Sequence, residues 1–305
     1  MKSSVLSLVT CSYGPDYERC KTLCASVERF VDPAIEHVLI VPKRDEAIFG
    51  ELVNQRTRVV TVESILPIKA WQLPLQRRWW LTLCSPPVRG WILQQLTKLS
   101  AANAVTTDAI VFADSDVVFV RPFGVEHVFE GDRLHLQRFP GPPPKPTHQR
   151  WHRESGRLLG IEPSDWYGSD YIGQLVTWRC DTLRMMNERI TESTGKHWAK
   201  VICNTLHLSE YILYGIYVEH VLGFEEAKAE PTSTEICHCS WHYHSHRDEG
   251  ELDLQAFLDD IKDHQVAVLI QSNLDIDGPV YRRLTSGQWR PGEPSESPVA
   301  SGGTR

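Results

Sequence analysis

The 305-residue sequence is short of positive charge: 32 Lys and Arg stand against 39 Asp and Glu, a formal net charge of −7. A protein that grips a phosphate backbone needs a basic surplus, so nucleic acid is not an expected partner. No stretch reaches the roughly 18 apolar residues needed to span a bilayer. The opening residues, Met1 to Thr10, are too short and interrupted for the apolar core of a signal segment, and the expected location is the cytoplasm. There is no Cys-x-x-Cys pair among the eight cysteines, so Cys237-His238-Cys239 lacks the further ligands a structural zinc would need. Scattered through a long chain, these cysteines read as reduced thiols. Internal repeats are also missing.

What is present centres on Ala109-Ile110-Val111-Phe112-Ala113-Asp114-Ser115-Asp116-Val117-Val118-Phe119-Val120. An apolar run with no polar face reads as a strand buried on both sides, and two carboxylates one residue apart interrupt it. Ionised pairs are costly in a dry interior unless they are hydrogen-bonded or bind a cation, and two oxygen ligands at i, i+2 suit Mg²⁺ or Mn²⁺. The alternative is a run that ends at Ala113, with both carboxylates on a solvated strand end. In the first case the carboxyl end of a central strand, where open α/β sheets bind ligands, carries a metal and diphosphate site.

Around this run the pattern is α/β. A strand over residues 5–10, a loop Ser12-Tyr13-Gly14-Pro15-Asp16, a helix over 17–31 and a strand over 37–41 make a βαβ opening. The loop after the first strand is where such a fold would hold a nucleotide base, with Tyr13 stacking on it and Thr10 bonding to it, although Tyr13 also reads as a plain turn residue. A helix is expected over 44–55, a strand over 58–62 and a helix over 90–102 whose Gln94, Gln95 and Lys98 fall near its polar side. The segment 71–84, rich in aromatic and basic residues, reads as a core cluster with snorkelling arginines or as a wall facing an acceptor. Strand-and-turn pattern is expected over 125–136, and the proline-rich stretch 139–146 reads as a rigid loop with sheet-like pattern resuming after it. Later elements are a strand over 172–178, helices over 182–191 and 208–217, a surface helix over 252–261 and a last strand or helix over 265–271. Gly173 permits close approach of a ligand or a neighbour. From Pro291 the composition turns to Pro, Ser, Gly and charge, so residues 1–285 are expected to form one domain and 286–305 a disordered tail.

Asp114-Ser115-Asp116 at the end of an apolar strand, preceded by a helix carrying Leu96-Thr97-Lys98-Leu99, resembles nucleotide-sugar glycosyltransferases of the GT-A fold, most nearly the glycogenin-like retaining group. Downstream, Tyr171-Ile172-Gly173-Gln174-Leu175-Val176 lies where that group has an Asn-Ser-Gly strand, and Ile236-Cys237-His238 where it has a metal-binding His. Trp91-Ile92-Leu93-Gln94-Gln95 and Ser209-Glu210-Tyr211 also look like an uncharacterised bacterial family assigned to glycosyltransferases by similarity. The resemblance covers residues 4–250 as ordered motifs. It implies a Rossmann-like mixed sheet flanked by helices, a nucleoside-diphosphate sugar (UDP- or GDP-linked) as donor, a hydroxyl acceptor and transfer with retention. It also implies a metal held by Asp114, Asp116 and His238, donor contacts from Lys98, Ser115, Gly173 and Gln174, and diphosphate contacts from His242 or its neighbours His244, His246 and Arg247. The Asn-Ser-Gly element itself is replaced here by Ile172-Gly173-Gln174.

The chemistry suited to this set is sugar transfer from a nucleoside diphosphate, because positive charge waiting at the β-phosphate lowers the barrier most. Glu210 would be the general base or orient the acceptor, and Asp170 is a second carboxylate candidate. Glu210 at a helix start is also favourable without any function. Two other classes stay open: a nucleotidyltransferase, which usually brings a Gly-rich basic loop where this chain has Ser12-Tyr13-Gly14-Pro15-Asp16, and a catalytically silent sugar-nucleotide-binding protein.

Overall fold

The computed structural model describes residues 5–73, 76–240 and 254–270. His242, His244, His246, Arg247 and the 286–305 tail lie outside the described residues. The architecture is the expected α/β one, a mixed sheet flanked by helices. Its centre is five strands in the order β7-β4-β1-β2-β3, with β1 Leu6–Cys11, β2 Glu36–Val41, β3 Thr57–Thr61, β4 Ala109–Phe112 and β7 Val176–Arg179. All neighbours are parallel except β7, which runs antiparallel to β4.

Both faces of this sheet are covered, which is why its strands read as unbroken apolar runs. The period of two sends Val9, Val38, Ile40, Ile110 and Phe112 to one core and Leu6, Leu8, Ala109 and Val111 to the other. Helix α1, Tyr17–Phe30, packs its buried Leu23 and Val27 into the second core. Helix α2, Gly90–Leu99, contributes Ile92, Leu93, Leu96 and Leu99 to the first.

The interrupted run 109–120 is not one strand. After Ala113, whose amide still reaches Val9, the chain turns through Asp114-Ser115-Asp116 and enters a different sheet. There β5, Val117–Phe119, pairs with β10, Ala267–Leu269, which also pairs with β9, Cys237–Cys239. The two carboxylates therefore sit where the chain changes sheet, at the carboxyl end of β4 and beside that of β1. A third sheet pairs β6, Arg133–Gln137, with β8, Ala229–Thr232.

Several expectations need correction. The helix expected over 44–55 is broken into single turns, of which only Glu46–Phe49 is α-helical. After the proline-rich stretch comes a helix, α3, Pro146–Leu159, rather than sheet. Proline is favoured in a first helical turn, and α3 buries His148, His152 and Ser155 beside Leu158 and Leu159, so its inward face mixes polar with apolar residues. The expected strand 172–178 is confined to β7 and runs straight into α4, Cys180–Thr194. Helix α2 buries Gln95 and Lys98, because its polar side packs on a further helix, α5, Glu210–Tyr217. The short helix Trp198–Cys203 and strand β8 were not foreseen.

Helix α5 has a close approach at Gly215: a Cβ there would lie 2.1 Å from Cγ of Tyr171, whose ring is fully buried. Gly215→Ala should therefore lower unfolding stability by about 1–3 kcal/mol, as overpacked cores do. Urea denaturation checks this, and Tyr171→Leu in the same background should recover part of the loss.

Candidate functional site

Three elements bring side chains to the turn between β4 and β5: the last turn of α2 with Lys98, the start of α5 with Glu210 and Tyr211, and the end of β1 with Cys11 and Ser12. Lys98 is 4% exposed. Its ammonium donates to the Tyr211 hydroxyl at 2.6 Å and to Asp114 Oδ1 at 3.2 Å, and lies 3.3 Å from Glu210 Oε1. It also rests 4.5 Å from the centre of the Tyr211 ring. An ammonium has three protons, and here three acceptors surround it.

The charges in this cluster are unequal. Burial alone would lower the Lys98 pKa, but Asp114, Tyr211 and Glu210 outweigh it and hold the ammonium well above its ordinary value. Burial pushes Asp114 up, yet Lys98 and the Gln174 amide, which donates to Asp114 Oδ2 at 3.1 Å, bring it below the usual carboxylate range. For Glu210, burial prevails over Lys98 and its pKa is raised. Its backbone N–H donates to the Gln95 side chain at 2.9 Å, and the Ser209 hydroxyl caps the helix. One cation thus serves two carboxylates, the buried Glu210 and Asp114 at the cleft edge, and Asp114 receives the larger share.

Asp116 stands apart. Among the described residues its carboxylate has no ion-pair or side-chain hydrogen-bond partner. Burial, then the neighbouring Asp114 charge, push it up to about 7. It borders a small polar cleft of about 160 Å³ together with Asp16, Arg19, Gln94, Asp114 and Ser115. Cys11, Asp16 and Gln94 also line a larger cleft of about 650 Å³. The walls of that cleft are aromatic and include Tyr13, Trp79, Trp80 and Trp91, and Arg89 stacks 5.8 Å from the Trp79 ring. Within the segment 71–84, Trp80 is buried in the core and Trp79 lines the cleft.

The remaining sequence-derived candidates divide. Ser115 lies in the polar cleft and donates to the Ser12 hydroxyl at 2.8 Å. Tyr13 is exposed at the aromatic cleft. Gln174 reaches the site through Asp114, and the next residue, Leu175, takes the left-handed conformation (φ 55°), a strained state for a branched side chain. Gly173 lies against a neighbour, the end of the Gln137 side chain, and lines neither cleft. Thr10 is fully buried with its hydroxyl 3.0 Å from His37 Nε2, so it faces a core histidine instead of a base. Asp170 accepts from the amides of Tyr171 and Ile172 and pairs with His148 at 3.0 Å; it lines neither cleft. His238 stacks on Phe257, and its Nε2 lies 3.0 Å from the Phe257 carbonyl.

Among the described residues no three His, Cys, Asp or Glu side chains are arranged to hold a metal ion, so the Asp114, Asp116 and His238 set is not assembled. Asp116 alone fits a different donor set, because Mg²⁺-type ions keep waters and bind through one or two carboxylates plus substrate phosphates. Asp16 and Arg19 were missed at the sequence level. Their signal was available: they follow directly on the carboxyl end of the first strand, one helical turn apart.

A family model described as a family of unknown function (DUF6492) matches residues 2–285. No curated protein matches the chain. Among solved structures, the crystal structure of an active-site mutant of LgtC aligns over 92% of this chain and 95% of its own, at 11% identity and a TM-score of 0.48. No helix among the described residues is long and apolar enough to cross a membrane.

Two outcomes are expected. Lys98→Met leaves Asp114 and Glu210 without their counter-charge and should cost about 3–5 kcal/mol of stability in urea unfolding, with a smaller loss near pH 4 where carboxylates take up protons. For Asp116, whose folded pKa is about 7 against an unfolded value of 3.8, the native state binds more protons through that window, so stability falls as pH rises across it. Asp116→Asn should therefore gain stability relative to wild type from pH 5 to pH 7.5 in chelator.

Proposed function

We propose that the chain, which belongs to the DUF6492 family, is a GT-A-type glycosyltransferase that moves a sugar from a nucleoside diphosphate to a hydroxyl acceptor. One observation carries this reading. A carboxylate without an ion-pair partner among the described residues, Asp116, borders a polar cleft at the carboxyl end of a central strand, and an aromatic cleft large enough for a nucleoside shares that cleft's rim. The ordered motifs from Lys98 through Asp114-Ser115-Asp116 to Gln174 support the same reaction class by their resemblance to the glycogenin-like group.

In this reading Tyr13, Trp79 and Trp91 stack on the base at the carboxyl ends of β1 and β2. Asp116 would hold a Mg²⁺ or Mn²⁺, with the diphosphate supplying further oxygens. A bound cation of this kind supplies positive charge where negative charge develops on the departing diphosphate. Asp114, pinned on one oxygen by Lys98 and on the other by Gln174, presents its remaining lone pairs to a donor hydroxyl. Ser115, tied to Ser12, closes the floor between the two clefts.

Lys98 and Glu210 take different parts from those the sequence suggested. Lys98 is enclosed by Asp114, Glu210 and Tyr211 and lines neither cleft, so it positions Asp114 instead of touching a phosphate. Glu210 is 3% exposed and paired to Lys98, so it acts on the site through Lys98 and the acceptor proton goes elsewhere. With retention, the C–O bond from sugar to β-phosphate breaks, a bond from the sugar carbon to the acceptor oxygen forms, and the acceptor proton passes to the departing diphosphate oxygen.

A thermal-shift panel of nucleoside diphosphates and nucleotide sugars, each with Mn²⁺ and with chelator, tests the proposal. At least one uridine or guanosine diphosphate ligand should stabilise the protein only when metal is present, by about 2.7 kcal/mol at a hundredfold excess over Kd. Asp116→Ala should remove that metal dependence with the fold intact. Equal stabilisation in chelator, or an unaffected mutant, contradicts the reading.

A further inference from the structure

A diphosphate carries charge that one metal ion does not fully neutralise, and the polar cleft offers it an unfavourable border. Asp16, Asp114 and Asp116 all line it. The lysine that the motif pattern aligns with phosphate contact is unsuited to the task, because Lys98 is enclosed by Asp114, Glu210 and Tyr211 and does not line the cleft. Among the described residues the basic side chain that does line it is Arg19.

Arg19 projects from the first turn of α1, three residues after Asp16, and its Nη1 meets Asp16 Oδ1 at 3.3 Å. Its side chain is 31% exposed and that of Asp16 26%, so the pair sits on the cleft wall instead of in open solvent. The base of the side chain is well fixed, since α1 is anchored by Leu23 and Val27, both fully buried against Leu6 and Leu8. The contact with Asp16 joins one guanidinium nitrogen to one carboxylate oxygen. A guanidinium is a planar fork of five N–H donors that matches two phosphate oxygens at once.

Resting on the reading of the polar cleft as a diphosphate site, we propose that Arg19 binds the diphosphate, and that Asp16 holds the guanidinium over the cleft until the diphosphate displaces it. Asp16 then acts as a place-holder: it keeps the arginine extended along the wall and offsets its charge while the cleft is open. Asp116 with its cation and Arg19 grip the same group from two sides. This assigns to an arginine of the first helix the role that the sequence pattern had given to Lys98 and to the histidines after residue 240.

Isothermal titration of the full chain with Mn²⁺ alone, and with inorganic pyrophosphate in the presence of Mn²⁺, tests this. Arg19→Ala should weaken pyrophosphate binding about 10- to 100-fold, the range for a lost hydrogen-bonded charge contact, while Mn²⁺ binding alone stays within twofold of wild type. Arg19→Lys, which keeps the charge without the fork, should recover only part of the loss. Asp16→Asn should bind pyrophosphate at least as tightly as wild type. Unchanged pyrophosphate affinity in Arg19→Ala overturns the assignment of Arg19, and weaker binding in Asp16→Asn overturns that of Asp16, both leaving the metal and diphosphate reading in place. If the wild-type protein does not bind pyrophosphate with Mn²⁺, the reading and the proposal fail together.

Discussion

The ammonium of Lys98 governs the site. It lies within hydrogen-bonding or ion-pair distance of Asp114, Glu210 and Tyr211 in an interior from which water is largely excluded. Charges buried in this way are tolerable only when paired and hydrogen-bonded. One positive charge cannot settle two carboxylates equally, so Asp114 falls below the usual range, Glu210 rises above it, and nothing is left over for Asp116. The unequal division has a functional consequence, because it concentrates uncompensated negative potential at the one carboxylate that borders the cleft without a partner among the described residues.

The backbone makes that arrangement possible. A continuous strand would have sent Asp114 and Asp116 to the same face and buried both. Instead the chain leaves β4, turns, and re-enters another sheet as β5, so each carboxylate answers to a different neighbourhood. Asp114 bonds Lys98 of α2 and Gln174, and Asp116 lines the cleft together with Asp16 and Arg19. The hairpin strands Ala70–Leu73 and Gln76–Thr82, followed by α2, raise Trp79, Trp80 and Trp91 beside this turn, so an aromatic cleft and a charged cleft share one rim. That juxtaposition suits a ligand with a flat apolar end and a highly charged middle.

Much of this was legible in the sequence. The βαβ opening, the buried central strand and the break at Asp114-Ser115-Asp116 all follow from apolar periodicity, which is a strong signal where both sheet faces are covered. Lys98 and Gln174, expected as donor contacts, both reach Asp114. What periodicity missed is equally physical. Helix α3 packs through histidine and serine as well as Leu158 and Leu159, so its inward face is part polar. Thr10 lies on a strand whose two faces are both interior, so its hydroxyl is spent on His37. His238 was placed by motif order alone, and order along the chain says nothing of the carbonyl of Phe257 that meets its ring nitrogen. Arg19 escaped notice because a single arginine on an amphipathic helix reads as solvated surface until the cleft beside it is known.

The central claim is that Asp114 and Asp116, two residues apart, are held in opposite electrostatic states. A pH titration of the carboxyl carbons by NMR, first in chelator and then with Mg²⁺ and pyrophosphate, tests it most directly. The account requires Asp116 to titrate near pH 7 in chelator with Asp114 already ionised well below, and requires magnesium with pyrophosphate to move the Asp116 midpoint down while leaving Asp114 in place. Two carboxyls titrating together near pH 4, or a midpoint that moves at Asp114 and not at Asp116, would contradict it.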